Sequence, residues 1–309
     1  MNFHSTKRRS TAAGFSLLEI LAATVVATIL LTLALQILGD SGTAVKDADK
    51  KRNATTQLRT ALDRFAADFS SAMLTAGGTA IWNQSDAGTE IGFISGSRSS
   101  GTGTVPRGAV IGYALLDHEE SGIEPYKELK RGDGPVDFNG DLKEVFKKIG
   151  ADPDDSIWTG WEPIGVGIVR FHVGFLLDDG TITQTPPAYS MISPQGTGYV
   201  SFMNGLTLKS TDHVAIAFSE RNKQQPGVVG GNSANDNRYV KALIVAAACV
   251  DRDVLKLAVG NDKISEVDKL GIPKDGETPL EVWEKNLTQI EFLPLLRNIR
   301  FQQRTIPVP

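Results

Sequence analysis

Lys7-Arg8-Arg9-Ser10-Thr11-Ala12-Ala13-Gly14-Phe15-Ser16-Leu17-Leu18-Glu19 leads into an apolar run that ends near Leu38. Only Glu19 is charged among the 24 residues from Phe15 to Leu38, so as a helix the run is long enough to cross a hydrocarbon core ~30 Å thick. The stretch predicts a membrane anchor. Glu19 is its anomaly, because a carboxylate at the centre of a spanning helix costs on the order of 2.5–3.5 kcal/mol, less near the interface, and such groups are normally paired. No Lys or Arg lies between positions 10 and 45, so a partner has to come from another chain or from a new amino terminus. A cut after Gly14 supplies one: Phe15 then carries a free α-amine one helical turn from Glu19.

Gly14-Phe15-Ser16-Leu17-Leu18-Glu19, with a short basic leader before it and an unbroken apolar run after it, resembles the class III signal of type IV pilins and of the pseudopilins of type II secretion. In that family a membrane aspartyl peptidase cleaves after the glycine and methylates the new amine, and the glutamate sets register during filament assembly. The resemblance therefore implies that Gly14 is the cleavage residue, Phe15 the N-methylated terminus and Glu19 the assembly glutamate. The motif covers only the first 40 residues or so. Family members often carry a proline in the apolar segment, and this chain has none before Pro106.

Two plainer readings compete. A secretory signal has an apolar stretch of about 7–15 residues with its cleavage site after it; here the run is longer and contains Glu19. A single-pass anchor that stays uncleaved, carrying a binding or enzymatic domain, is the alternative from another class, and an adhesin-like tip subunit is a third, with the loops Ser95–Thr104 and Ser219–Asn237 as contact surfaces. The charges orient all of them. Lys7, Arg8 and Arg9 precede the run and Gly39-Asp40-Ser41-Gly42 follows it, so the positive-inside rule keeps the leader in the cytoplasm and sends the body across the inner membrane.

The whole chain carries a formal charge of -4, and loss of the three leader cations leaves 29 basic against 36 acidic residues, which offers no footprint for nucleic acid. With 41% hydrophobic residues the body can bury a core. Cys249 is the single cysteine and sits in an apolar run, where a small buried thiol is expected.

Beyond the apolar run, two glycines and Asp40 predict a softened or kinked helix at 39–42. Val45, Ala48, Leu58, Ala61, Leu62, Phe65, Phe69 and Met73 then recur at spacings of mainly three and four, which predicts an amphipathic helix whose stripe must be covered. If continuous with the anchor it makes a rod of roughly 90 Å. After Gly77-Gly78 the texture turns to short strands: 80–82, 90–94, 109–115, an edge strand over 126–131 followed by a turn from Asp133, a hairpin built from 164–177 and 181–185 about an Asp-Gly turn, 214–218, and a buried strand over 239–250. An aromatic-rich strand of the Val169–Leu177 type followed by one of the Lys241–Val250 type is similar to minor pseudopilins and minor pilins with larger heads. Toward the end, 264–270 and 279–290 predict helices, the second with Thr278 as N-cap, Pro279 in its first turn and Glu281 at its third position. Residues 297–308 predict an extended close.

The chemistry is sparse. Asp137, Asn139 and Asp141 have the alternating oxygen spacing of a calcium loop, but Leu142 replaces the expected glycine and Lys148 the bidentate acid, and Asx residues in turns and caps produce the same letters. The expectation is no cofactor, with calcium as the alternative. The histidines of the body, His118, His172 and His213, are scattered, and no nucleophile elbow, metalloprotease or phosphate-loop motif is present. The chain is expected to be α+β, with a long N-terminal helix on an antiparallel sheet head. Its divisions are a leader over 1–14, a transmembrane and assembly helix over 15–38, an amphipathic continuation over 39–76, a β-rich head over 77–260 and a helical C-terminal extension over 261–309. The function expected is a non-enzymatic subunit, minor rather than major for its bulky head, with the prepilin peptidase and other pilin-like subunits as partners.

Overall fold

The structure is a computed structural model of the 309-residue chain. It describes residues 17–72, 80–84, 88–95, 109–118, 126–135, 160–185, 199–202, 206–209, 214–215 and 240–309. The Asp137–Asp141 loop, the two long Ser/Gly-rich loops, Gly14 and Phe15 lie outside these. The chain forms two compact units, Met1–Asp49 and Lys50–Pro309.

The described part of the first unit is helix. Helix α1 spans Leu17–Ser70, so helical structure continues through Gly39-Asp40-Ser41-Gly42. Thr43 Oγ1 contacts the carbonyls of Gly39 (2.9 Å) and Asp40 (3.0 Å), adding side-chain hydrogen bonds to the turn whose propensity is poorest.

In the second unit, α1 from Lys50 onward packs against two antiparallel sheets. One has the order β10-β1-β2-β3-β4-β5, built from β1 (Ala80–Gln84), β2 (Thr89–Ser95), β3 (Ala109–His118), β4 (Tyr126–Pro135), β5 (Gly160–Pro163) and β10 (Val214–Ala215). The other has the order β12-β11-β6-β7, built from β6 (Ile168–Leu177), β7 (Ile182–Thr183), β11 (Val240–Cys249) and β12 (Arg300–Pro307). A separate hairpin pairs β8 (Tyr199–Phe202) with β9 (Leu206–Lys209).

Strand β11 shows why its sequence is an unbroken apolar run rather than an alternation. Leu243, Val245, Ala247 and Cys249 enter the core that contains Leu58, Leu62 and Phe65 of α1. Ala246, Ala248 and Val250 enter a second core with the C-terminal helices, including Val254, Leu255, Trp283 and Leu295. Because successive side chains point to opposite faces, a strand covered on both faces has no polar position to spare. The second sheet is thus the middle layer between α1 and helices α2 (Arg252–Gly260), α3 (Pro279–Asn286) and α4 (Leu293–Asn298).

The sequence reading and the structure part company at several strands. Strand β4 is not an edge and does not stop at Arg131: it pairs with β3 over ten residues, from His118↔Tyr126 to Ala109↔Pro135, and with β5 through Lys130–Asp133. The turn expected from Asp133 is strand instead: β3 pairs along Gly132-Asp133-Gly134, β5 pairs with Gly132 and Asp133, and Pro135 falls at the strand end where a missing N–H is tolerated. The hairpin about Asp178-Asp179-Gly180 exists, but β7 contributes only two pairs, Phe175↔Thr183 and Leu176↔Ile182, while β11 pairs with the other edge of β6 along nearly its whole length. Residues 164–167 form bends and turns before β6 instead of part of it. Gly167 is required there: its φ is +82, and an added Cβ would overlap the carbonyl oxygen of Val250. Helix α2 was not expected. Asp251 caps it by accepting from Asp253 N, a signal legible in Asp251-Arg252-Asp253 before an apolar run. Helix α3 begins as expected, with Thr278 and Glu281 forming a reciprocal capping box.

One polar contact fixes the register of α1 on the sheets. The Asp68 carboxylate, 5% exposed, accepts from Tyr113 Oη and Arg131 Nε, both at 2.6 Å, with Arg64 Nε at 3.5 Å. Burial first, then the Asp68 charge, pushes the Tyr113 phenol well above its ordinary range, so it donates at any physiological pH. Around this contact Phe65 stacks on Phe69 and meets Tyr113 at 4.8 Å. Removing one member of a buried ion pair strands the other, which typically costs ~3–5 kcal/mol. Asp68→Ala is therefore expected to lower the unfolding free energy of the full-length chain in detergent by that amount, with Asp68→Asn losing less; a loss below ~1 kcal/mol would show that the pair does not anchor the helix.

Candidate assembly site

The expected site residues divide between the two units. Glu19 lies in the first turn of α1, where the N-terminal N–H groups of a helix favour a negative charge. The segment that follows is long and apolar enough to cross a membrane, and among the described residues nothing buries it. Leu17, Leu30, Leu31, Ile37 and Leu38 each expose more than three-fifths of their surface. No residue of α1 before Ala54 is buried. So many exposed aliphatic side chains on one helix require cover from lipid or from other helices.

Sequence reading passed over three threonines in this helix. Thr24, Thr28 and Thr32 recur every four residues and so share one face. Their hydroxyls donate to the carbonyls of Leu21 (2.8 Å), Thr24 (2.7 Å) and Thr28 (2.8 Å). The face can enter hydrocarbon without an orphaned donor, which is the condition any polar group must meet there. The i, i+4 spacing was the available signal.

Several polar side chains of the head have structural tasks. Glu266 accepts from the backbone N–H groups of Glu291 and Phe292, both at 2.8 Å, and so substitutes for a missing side-chain cap at α4. These bonds, Phe292 first, hold its carboxyl below the ordinary range. Glu128, 1% exposed, accepts from Gly167 N at 3.0 Å, and its second oxygen lies 2.9 Å from His118 Nδ1, within ion-pair range but off the hydrogen-bond axis. His172 is buried. Gln184 Nε2 donates to the carbonyls of Lys274 (3.1 Å) and Glu277 (2.8 Å), which turns its Oε1 toward His172 Nε2 at 2.8 Å and assigns the imidazole proton to that nitrogen. Desolvation of the imidazolium lowers this histidine to about 4. Burial, followed by the nearby charges of Asp251 and Glu128, pushes the Cys249 thiol up to about 12, so it stays protonated and unreactive. Among the described residues no three His, Cys, Asp or Glu side chains converge as a metal site.

No protein-family model and no curated protein matches the sequence. Among solved structures, a type IV-like pilin from Thermus thermophilus aligns with 64% of this chain and 71% of its own, at 12% identity and a TM-score of 0.32. A likeness so distant adds no weight to the elements themselves, which supply the description: a long apolar-headed helix whose later turns pack on antiparallel sheets. The fold is pilin-like. Its C-terminal helices add a further layer to the pilin-like plan, on the far side of the second sheet.

The two depressed pKa values set the acid response of this head. For His172 the unfolded chain binds a proton below about 6.5 while the folded chain resists until about 4, so stability is complete above 6.5 and declines as pH falls through that window, by ~1.4 kcal/mol per unit. Glu266 contributes above the ordinary carboxyl range and is lost at still lower pH. Denaturant midpoints of the full-length chain should fall from pH 6.5 to 4, and His172→Gln should flatten that slope; an unchanged slope in the variant would exclude His172 as its source.

Proposed function

We propose that this chain is a non-enzymatic structural subunit, a minor pilin or pseudopilin, of a type IV pilus-like or type II secretion filament. It is inserted in the inner membrane by α1 with its head on the far side, cleaved after Gly14 by a prepilin peptidase, and assembled with other pilin-like subunits through the Phe15–Leu38 helix. The observation that carries this reading is the exposed apolar helix that begins at Leu17, within the Gly14–Glu19 motif, and holds Glu19 in its first turn. A membrane anchor alone needs neither the motif nor a glutamate inside the run. In lipid, burying apolar side chains against other helices gains little, so association depends on packing and on polar pairs such as Glu19 with the amine of a neighbouring Phe15. No cofactor is required for this task.

Glu19→Leu tests it. Cleavage after Gly14 is expected to proceed normally, while incorporation into filaments falls roughly tenfold, the equivalent of ~1.4 kcal/mol and within the range of polar contacts between membrane helices. Incorporation equal to that of the natural chain would refute the proposed role of Glu19.

A further inference from the structure

The seam between α1 and β12 is the strongest unspent charge feature of the head. Two contacts align these elements in the same direction. Lys50 Nζ lies 3.2 Å from Asp253 and 3.7 Å from Asp251, just beyond Cys249, which is registered with Arg300. Farther along, Arg304 pairs with Asp63. Alternation places Arg300 and Arg304 on the face of β12 that carries Ile306 into the α1 core. Arg52 and Arg59, two helical turns apart, share one exposed face of α1. Across Lys50–Ser70 and Arg300–Pro307 the carboxylates are Asp63, engaged by Arg304, and Asp68, buried against Arg131 and Tyr113. Arg52 and Arg59 have no side-chain partner among the described residues, in a chain of net charge -4.

The opposite sign lies on the opposite side of the same sheet. Helix α3 packs through Trp283 into the second core and exposes Glu281 and Glu284, with Asp275 and Glu277 just before it; Lys274 and Lys285 are exposed on the same stretch, which keeps an excess of two acidic side chains. We infer that the Arg52–Arg59 seam docks the acidic α3 end of a second copy of this chain. The inference rests on the filament reading and deepens it, because it names a head surface through which copies meet. Complementary patches on opposite faces of one unit cannot satisfy each other within a copy. They join head to tail, and such a heterologous contact repeats without closing, as a filament requires. Exposed ion pairs add little affinity each, so the seam sets register and speeds encounter while the apolar helix supplies the holding contact.

Cysteine pairing of full-length chains tests the contact. One chain carries Arg59→Cys and the other Glu284→Cys; both positions are exposed, and Cys249 is buried. Co-expressed and oxidised, the two variants are expected to form a disulfide-linked dimer whose yield drops about fivefold at high salt and when Arg52→Glu is added. An equal yield when Glu284→Cys is replaced by Lys241→Cys, an exposed position on β11, would overturn the inference. Glu19-dependent assembly without the disulfide overturns the seam and leaves the filament reading standing. The disulfide together with normal assembly of Glu19→Leu chains upholds the seam and removes the proposed role of the membrane helix.

Discussion

The apolar first half of α1 is exposed among the described residues, while its second half is buried in the head. From Leu17 to Leu38 every residue is exposed, whereas from Ala54 onward the same helix buries Leu58, Leu62, Phe65 and Phe69 in the head. One continuous element thus serves two solvents. Its later turns form a folded core in water, and its earlier turns need hydrocarbon or other helices. Glu19 stands in the first turn of that earlier part.

The head holds its share of the helix by contacts spread along its length. Lys50 meets the capping end of α2, Asp63 meets β12, and Asp68 is sunk between β3 and β4. The first two are exposed and individually weak, while the third is buried and costly to break. Between them the aromatic cluster around Phe65 supplies the bulk of the burial, each ring contributing ~1.5–3 kcal/mol. The C-terminal helices play the corresponding part on the other face of β11, so that the strand is enclosed from both sides.

Legibility followed the range of the interactions. The membrane run, the α1 stripe from Leu58 to Phe69, the β6 and β11 strands and the Thr278 capping box were all readable, because each is written in consecutive residues or one helical period; Val45 and Ala48, read as part of the same stripe, are exposed. The length of β4 was not readable, since Gly132 is flanked by β3 and β5 and Gly134 by β3, contacts about twenty residues away in one direction and thirty in the other. Nor was the Asp68–Tyr113–Arg131 group, whose members are brought together by tertiary packing alone. Glu266 capping α4 escaped for the same reason: the carboxylate and the N–H groups it serves lie on different segments. At the candidate site, Glu19 was read from the motif, and the Thr24, Thr28, Thr32 ridge was missed although its period was on view.

The account turns on a proteolytic event that creates a positive charge beside Glu19. Intact-mass and amino-terminal analysis of the protein recovered from its native membrane tests it most directly. The account predicts a chain beginning at Phe15 with one added methyl group on its amine. A chain that retains Met1 through Gly14 would contradict it.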